Sequence, residues 1–284
     1  MSELSAFYID KAKKELGENE IRKTQSINLF KEYIRRHPFI IYLNPDEKIL
    51  LTILRSKKYK MYKVFESFEK TAIFIKSNLR VIDLHGQEMK ELLTKYNKVF
   101  GVSKCRGING EKVMLIKVKE IEALNLSTKE AIEMTTIMIT ALFFEEKTQI
   151  AGTILIYDCT NTNWKFFKQF LETEFIQFSK NTSFFPVRYK HIIIIGMPTY
   201  AVSIFNLIKS VFTIKLQERF IMVENYKNLE KFTNITEILK EENLTKFCKN
   251  IAKAYQLLKN LEINDFNKIE NYKSSGSFRK LEID

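Results

Sequence analysis

The sequence predicts an α/β protein in which an N-terminal helical bundle precedes a mostly parallel β-sheet. In the first part of the chain, apolar residues recur at helical spacing and the outer positions are rich in Lys. After about Asp83, short β-branched runs alternate with longer amphipathic segments, as in parallel sheets whose strands are joined by helices. We therefore divide the chain into a helical domain (1–82), an α/β domain (83–250) and a C-terminal helix with a loose tail (251–284).

Four helices are predicted in the helical domain from the caps, turns and stop signals at their ends. Ser5 is the expected N-cap of the first helix, which Gly17 ends. Asn44 is the expected N-cap of the third helix, with Pro45 in its first turn. The four predicted helices are 6–16, 24–36, 45 onward and 61–76.

Four strands separated by helices are predicted in the α/β domain. The predicted strands are 113–116, 153–157, 191–195 and 220–223, and the predicted helices are 86–100, 127–146, 164–178 and 199–216. Ser127 is the expected N-cap of the second of these helices. The glycines of 101–110 indicate a turn-rich link, and two short helices are expected after Leu229.

The segment 199–216 is apolar over most of its circumference. One narrow polar stripe interrupts it, and the members of that stripe recur at helical spacing: Ser203, Asn206, Ser210, Thr213 and Gln217. Gly196 and Pro198 precede the segment, and basic residues flank it. These features indicate a hinged lid over a lipid pocket, while ordinary core packing of a strand and an amphipathic helix explains the same pattern. The 18 uncharged residues 191–208 are long enough for a membrane span, but the strand-like start and Pro198 disfavour one.

Charge and cysteine content restrict the partners and the compartment of the protein. A formal charge of +12 favours an anionic membrane or nucleic acid as a partner. The Lys residues are spread over most helices without a nucleic-acid motif, so we expect no nucleic-acid partner. Cys105, Cys159 and Cys248 lack metal-type spacing, and residues 1–20 lack a secretory signal pattern. We therefore expect reduced thiols, no metal site and a cytoplasmic protein.

No sequence pattern nominates a catalytic centre. His37, His85 and His191 lie outside any nucleophile-bearing motif, and the sequence has neither a phosphate-binding loop nor a dinucleotide fingerprint. Asp158 ends a predicted central strand, where α/β enzymes often place an acid, but a structural hydrogen-bonding role is the favoured interpretation. We expect no enzyme activity, no catalytic residue and no cofactor other than a bound lipid.

Four stretches resemble the CRAL-TRIO family of lipid-binding and lipid-transfer proteins, in particular its subgroup of α-tocopherol transfer and retinaldehyde-binding proteins. Residues 51–59 are similar to the family's Leu-Arg-Ala-Arg-Lys-Phe helix, 110–116 to its first strand and 152–158 to its second. The stretch 185–219 is the most specific, because it matches the family's Phe-Pro-x-(Arg/Lys) start and Lys-Ile-x-(Glu/Asp)-Arg end. The resemblance extends over 46–244.

Two segments depart from the family pattern. The Asp-x-x-Gly after the second strand is Asp158 to Asn161 here, without the glycine. The Leu-Pro-x-Glu-Tyr-Gly-Gly segment after the last strand corresponds to 238–243, without the Pro, the Tyr and both glycines. The conformation of these loops and the identity of the ligand therefore do not follow from the resemblance.

The resemblance implies a hydrophobic pocket between the sheet and the lid. Helices, strands and the lid itself would supply its walls: Thr135, Met138, Ile139, Phe143, Thr153, Leu155, Tyr157, Phe166, Phe170, Phe185, Val187, Ile192, Ile194, Val202, Phe205, Ile208 and Phe212. The hydroxyl groups of Thr135, Thr153 and Tyr157 would be available to a ligand head group. Beside the lid, the resemblance implies a phosphoinositide-binding patch of four basic residues: Arg55, Arg188, Lys215 and Arg219.

The implied function is that of a soluble monomeric carrier. It would bind one tocopherol-like (vitamin E-like), retinoid-like or isoprenoid-like ligand and transfer it at phosphoinositide-containing membranes. At ~0.8 kcal/mol for each buried methylene, an alkyl chain of about 15 carbons gains on the order of 10 kcal/mol, enough to hold a lipid in water. Three alternatives stay open: a phosphatidylinositol or phosphatidylcholine transfer protein, a basic nucleic-acid-binding module, and a ligand-free scaffold.

Overall fold

The computed structural model describes residues 4–77, 91, 94, 96, 98–142, 145–163, 167, 172–173, 176, 185–234, 260–265 and 268. Four helices fill the first of these ranges, as predicted: α1 (Ala6–Leu16), α2 (Glu20–Arg36), α3 (Glu47–Ser56) and α4 (Met61–Ser77). Gly17 ends α1 in the left-handed conformation, with φ 67°. The helical N-terminal region is therefore confirmed.

Two helix starts differ from the prediction because other side chains provide the caps. The helix α2 begins before Thr24, since the side chain of Asn19 accepts a hydrogen bond from the Arg22 amide at 2.8 Å. The helix α3 is capped by Asp46, which accepts from the Lys48 amide at 2.7 Å. Asn44, the predicted cap, instead lies in a turn with φ 50°.

Aromatic rings of α2 and α4 form the centre of the helical region. The rings of Tyr33 and Phe65 stack at 3.9 Å, and Phe30 meets Phe68 edge-on at 5.3 Å. Each of these rings is at least 97% buried. Burial of a ring of this size contributes about 1.5–3 kcal/mol, so this cluster holds the two helices together.

A short sheet ties the C-terminal part of the chain to this helical region. In the part of the chain that the structure describes, β1 (Ile40–Tyr42) pairs antiparallel with β7 (Leu261–Ile263). Leu261 is 1% exposed and belongs to the apolar core of the helices. A strand therefore lies within the segment 251–284, where we expected only a helix and a loose tail. The proposed domain boundaries stay a prediction.

The described residues form a five-stranded central sheet in the order β2-β3-β4-β5-β6. Its strands are β2 (Phe100–Arg106), β3 (Lys112–Lys117), β4 (Thr153–Asp158), β5 (Tyr189–Ile195) and β6 (Phe220–Val223). All neighbours are parallel except β2 and β3. The mixed α/β fold with a mostly parallel sheet, and the four predicted strands, are confirmed.

The predicted turn-rich link at 101–110 is wrong for its first six residues, which belong to the edge strand β2. Its register with β3 shifts between Val102 and Arg106, and Ser103, Lys104 and Cys105 lie in that irregular stretch. An edge strand needs only one paired side and tolerates polar residues, so its apolar pattern is weak. This explains why the sequence favoured a link here.

Apolar side chains cover both faces of the sheet. One face carries Val113, Ile154 and Ile193, which pack with Leu229 in a single cluster. The opposite face carries Met114, Leu155 and Ile194, which pack beneath helical segments. Strands buried on both faces read as continuous apolar runs, which is why β3, β4 and β5 were recognisable in the sequence.

Three helices lie between β3 and β4: α5 (Val118–Ala123), α6 (Thr128–Leu142) and α7 (Glu146–Ala151). Ser127 is confirmed as the start signal of α6. Its hydroxyl accepts from the Glu130 amide at 3.3 Å, and the Glu130 carboxylate accepts from the Ser127 amide at 2.9 Å. Most of the predicted helices 86–100 and 164–178 lies outside the described residues.

The lid segment is two helices rather than one. A 3₁₀ turn (Thr199–Ala201) leads into α8 (Val202–Ser210), and α9 (Ile214–Gln217) follows. The Ser210 hydroxyl donates to the Leu207 carbonyl at 2.6 Å, and Thr213 is extended with ψ 147°. Side-chain competition for helix carbonyls and an extended cap interrupt the helix that we predicted over 199–216.

Candidate functional site

The lid helix α8 packs its apolar side against the sheet. Ala201 and Ile204 are 0% and 7% exposed and lie in one cluster with Leu155 and Ile194. Phe205 packs against the same cluster, and its ring lies 5.3 Å from that of Phe220 on β6. The predicted polar stripe of the lid faces solvent at its three positions on α8: Ser203, Asn206 and Ser210. The lid therefore covers an apolar region of the sheet.

The structure places six of the seventeen predicted wall residues in or against this apolar cluster, and their role as ligand contacts stays a prediction. The residues that share this cluster or pack against it are Leu155, Tyr157, Val187, Ile194, Phe205 and Ile208. Phe185 and Val187 meet at its border, where the ring of Phe185 lies 4.5 Å from that of Phe74. Ile192 is buried in β5, Val202 and Phe212 are half-buried, and Thr135 is half-buried on α6.

Five other predicted wall residues have side chains that the structure does not describe. The side chains of Met138 and Ile139 on α6, and the residues Phe143, Phe166 and Phe170, lie outside the described part of the structure. Their assignment to the pocket stays a prediction.

Hydroxyl groups lie on the lid-facing side of β4 and β5. Thr153 is fully buried, and its hydroxyl has no hydrogen-bond partner among the described residues. Burial raises the pKa of Tyr157 and of Tyr189, so both phenols stay protonated and able to donate. Thr135 differs, because its hydroxyl already donates to the Ala131 carbonyl at 2.8 Å. A buried hydroxyl without a partner is costly, so the Thr153 hydroxyl has hydrogen-bonding capacity that the described residues do not use.

A glycine forms the turn between β5 and the lid. Gly196 has φ 60°, and a Cβ at this position would lie 2.6 Å from the Thr160 hydroxyl oxygen. An L-residue other than glycine is strained in this conformation and would collide with Thr160 as well. The close approach fixes where the lid segment leaves the sheet.

A basic pocket of about 640 Å³ lies beside the C-terminal end of the lid. Its walls come from the turn between α3 and α4, the first turns of α4, the start of β5 and the helix α9. Among the described residues that line it, eight are basic and Glu66 is acidic. The basic residues are Lys57, Lys58, Lys60, Lys63, Arg188, Lys190, Lys215 and Arg219. Such an excess of cations in one concave site favours a multiply charged anion.

Burial, together with repulsion between cations, lowers the pKa of two lysines in this basic pocket. Burial, assisted by Lys63, lowers the pKa of Lys57 to about 8. Burial and the nearby charges of Arg188 and Lys215 lower the pKa of Lys58. A bound anion would reverse both shifts, because it stabilises the protonated amines.

The sequence of the α/β region matches the model of a known protein family. The CRAL/TRIO domain model matches residues 95–243, just over half of the chain. The chain therefore belongs to the CRAL/TRIO domain family. The matched residues include the central sheet, the lid and the part of the basic pocket that β5 and α9 form.

Curated relatives of this CRAL/TRIO chain include Clavesin-1 proteins. It is 23% identical to Clavesin-1 of Xenopus laevis over 227 residues, which cover 78% of this chain and 67% of the relative. It is 25% identical to Clavesin-1 of Rattus norvegicus over 232 residues, which cover 79% and 64%. The chain thus spans about two thirds of the length of these relatives. The crystal structure of Sfh5 matches with a TM-score of 0.49 at 10% identity, over 85% of this chain and 99% of that one.

At the first departure from the CRAL/TRIO pattern, the backbone takes a conformation that glycine adopts readily. Asn161, which stands where the family has glycine, adopts φ 58°. Asn tolerates the left-handed conformation better than most residues do. The Asp158 carboxylate accepts from the Thr160 amide at 3.0 Å and from the Tyr226 hydroxyl at 2.6 Å. These bonds agree with the structural role that we favoured for Asp158. The second departure, at 238–243, lies outside the described residues.

Three of the four predicted phosphoinositide contacts line the basic pocket: Arg188, Lys215 and Arg219. The fourth, Arg55, does not line it. Arg55 is 2% exposed and forms a two-point ion pair with Glu18, at 2.8 and 2.7 Å, and a 2.8 Å hydrogen bond to Gln149. These contacts engage the guanidinium within the protein, and the assignment of Arg55 as a phosphoinositide contact stays a prediction.

Five cations of the basic pocket were not among the predicted site residues. Four of them come from a short lysine-rich stretch at the end of α3 and the start of α4, and the fifth lies on β5: Lys57, Lys58, Lys60, Lys63 and Lys190. The density of Lys in 57–63 was a visible signal, but it is typical of any solvated turn. Lys58 and Tyr59 both have positive φ, 53° and 59°, and this unusual turn could not be inferred from the sequence.

Within the described residues, no helix has the length and apolar character needed to cross a membrane. The segment 191–208, which is long enough for a span, is instead a strand, a turn and most of α8.

Proposed function

We propose that this CRAL/TRIO chain carries one hydrophobic ligand beneath its lid and exchanges it at phosphoinositide-containing membranes. The observation that carries the proposal is the basic pocket, which adjoins the lid and the apolar cluster beneath it. Val187 and Tyr189 contribute to both sites. A phosphoinositide head group in the basic pocket would therefore lie directly beside the cover of the ligand site.

The apolar site supports a largely hydrocarbon ligand with one small polar group. Aliphatic and aromatic side chains from β4, β5 and α8 form the cluster, and Thr153 and Tyr157 are the polar groups of the lid-facing surface of β4. A hydroxyl or carbonyl on a tocopherol-like, retinoid-like or isoprenoid-like ligand would pair with Thr153. We propose no covalent chemistry, no cofactor other than this ligand and a monomeric state.

The basic pocket supports reversible membrane association. Four of its lysines are exposed: Lys58, Lys60, Lys63 and Lys215. A Lys near an anionic leaflet contributes about 1 kcal/mol, so these four side chains give several kcal/mol of attraction that salt screens. Binding of this strength is sufficient for docking and weak enough for release.

Native mass spectrometry of freshly purified protein, followed by lipid extraction, tests the ligand site. We expect an added mass that disappears on denaturation and corresponds to one hydrophobic lipid of low polarity. A phospholipid mass would favour the phosphatidylinositol or phosphatidylcholine carrier instead. A mass of the bare chain that persists after incubation with mixed-lipid vesicles would contradict carriage of any lipid.

Vesicle flotation tests the head-group site. We expect the protein to float with phosphatidylcholine vesicles that contain phosphatidylinositol bisphosphate, and to bind poorly to vesicles of equal charge made with phosphatidylserine. Equal binding to both vesicles would show a general attraction to anionic surfaces. Salt-sensitive binding to DNA or RNA at the same protein concentration, without flotation, would support a nucleic-acid module.

A further inference from the structure

Glu15 is a carboxylate of the protein itself that contacts cations of the basic pocket. Its Oε2 atom lies 2.9 Å from Arg188 Nη2 and 2.6 Å from Lys190 Nζ, while its Oε1 atom lies 2.7 Å from Lys11 Nζ. Arg188 and Lys190 both line the basic pocket. Two short charge-assisted hydrogen bonds thus occupy two cations of the proposed head-group site.

On the other side of the basic pocket, the lining carboxylate of Glu66 lies 2.6 Å from Lys70, which does not line the pocket. Within the described residues, no acidic side chain lies at ion-pair distance from Lys60, Lys63 or Lys215. The pocket therefore has two parts, which we call the held side (Arg188 and Lys190) and the open side (Lys60, Lys63 and Lys215). A single phosphate that is bound by the open side alone would not need the cations of the held side.

We propose that Glu15 is an internal competitor that weakens the binding of head groups with more than one phosphate and has little effect on the binding of a single phosphate. The proposal rests on the proposed function, since it concerns the same site. A ligand with several phosphates spans both sides, so it must displace the Glu15 carboxylate from Arg188 and Lys190. A ligand with one phosphate leaves Glu15 in place.

Glu15 remains charged at any physiological pH. Burial alone would raise its pKa, but hydrogen bonds from Lys11, Lys190 and Arg188 outweigh burial and hold the pKa at about 2. Its competition with a phosphate is therefore constant across the pH range of the cell. When a phosphate binds Arg188 and Lys190, the displaced Glu15 carboxylate keeps its ion pair with Lys11.

Titration calorimetry on the full chain with Glu15→Gln tests this competitor. We expect inositol 1,4,5-trisphosphate to bind the variant about tenfold more tightly than it binds the wild type, and inorganic phosphate to bind with nearly unchanged affinity. Glu32→Gln is the matched control, because Glu32 pairs with Arg35 and Arg36 on α2 and does not line the pocket. It should leave both affinities nearly unchanged.

Four outcomes would count against the inference. It is overturned if Glu15→Gln gains no more affinity than Glu32→Gln, or gains equally for both ligands, as a general charge effect would. If the wild type and the variant bind trisphosphate equally well, the head-group site stands and the competitor does not. If neither binds trisphosphate, both proposals fail.

A second variant separates competition from altered folding. In a Lys190→Gln background, Glu15→Gln should gain clearly less, because one of the cations that it frees is absent. An equal gain in both backgrounds would contradict a role through Lys190. Flotation with phosphatidylinositol bisphosphate vesicles, with and without soluble trisphosphate, distinguishes a lipid head group from a free inositol phosphate. A lipid source requires that Glu15→Gln also increases vesicle binding.

Discussion

Removal of two cations from the basic pocket should weaken membrane binding far more than removal of two exposed cations elsewhere on the protein. Lys63 lies on α4 and Lys215 on α9, and both side chains are exposed. Substitution of each with Gln keeps the length of the side chain close to that of Lys and removes the charge. Neither Lys is part of the folded core, so the variants should keep the stability of the wild type.

The expected loss follows from the position of the charges. A Lys close to an anionic leaflet contributes about 1 kcal/mol, which corresponds to about fivefold in affinity. The pair Lys63→Gln and Lys215→Gln should therefore reduce partition onto phosphatidylinositol bisphosphate vesicles by about thirtyfold at low salt. The difference should shrink as the salt concentration rises, because exposed charges are screened.

Flotation of the double variant beside a control pair measures this loss. Lys129→Gln and Lys227→Gln remove the same two charges from exposed positions that do not line the pocket. The control pair should lose only a few-fold in partition. Equal losses in the two double variants would refute the reasoning, since they would show that net charge and not the basic pocket governs binding.

Three further substitutions or titrations test single features of the structure. Affinity for inositol trisphosphate should fall as the pH rises through about 8, because Lys57 loses its proton there. Calorimetry in two buffers that differ in ionisation enthalpy should detect proton uptake on binding. A binding enthalpy that is the same in both buffers would contradict this. Gly196→Ala should lower the free energy of unfolding by about 1–2 kcal/mol in urea denaturation, owing to its φ of 60° and the approach of Thr160, and unchanged stability would refute the strain. Arg55→Met should lower the free energy of unfolding by about 3–5 kcal/mol in the same assay, because it leaves Glu18 buried without its cation. A variant as stable as the wild type would show that the ion pair is dispensable.

The parts of the fold that could be predicted are those fixed by local patterns. The strands β3, β4 and β5 were recognisable because burial on both faces leaves uninterrupted apolar runs. The four N-terminal helices followed from their apolar faces and stop signals. The edge strand β2 and the strand β7 were missed, because each depends on a partner elsewhere in the chain.

The candidate site was predictable only in part, because it combines distant segments. The cations at 57–63 and those at 188–219 are more than 120 residues apart in sequence, and no spacing rule connects them. Arg55 shows the same dependence on distant partners: it matches a family position, yet it pairs with Glu18, 37 residues away, and does not line the pocket. Partners of this kind become visible only in three dimensions.

The basic pocket and the apolar cluster beneath the lid share residues, so a ligand in one would affect the other. Val187 packs against the apolar cluster and also lines the basic pocket, and Phe212, between α8 and α9, has its ring 5.5 Å from that of Phe220. Movement of α9 by a head group would therefore act on the residues that close the ligand site. Because such coupling is reciprocal, the same contacts would let the presence of the hydrophobic ligand alter the affinity for the membrane. The break at 211–213 interrupts the predicted single helix and separates α9 from α8, so a shift of Lys215 toward a head group would not require a shift of all of α8.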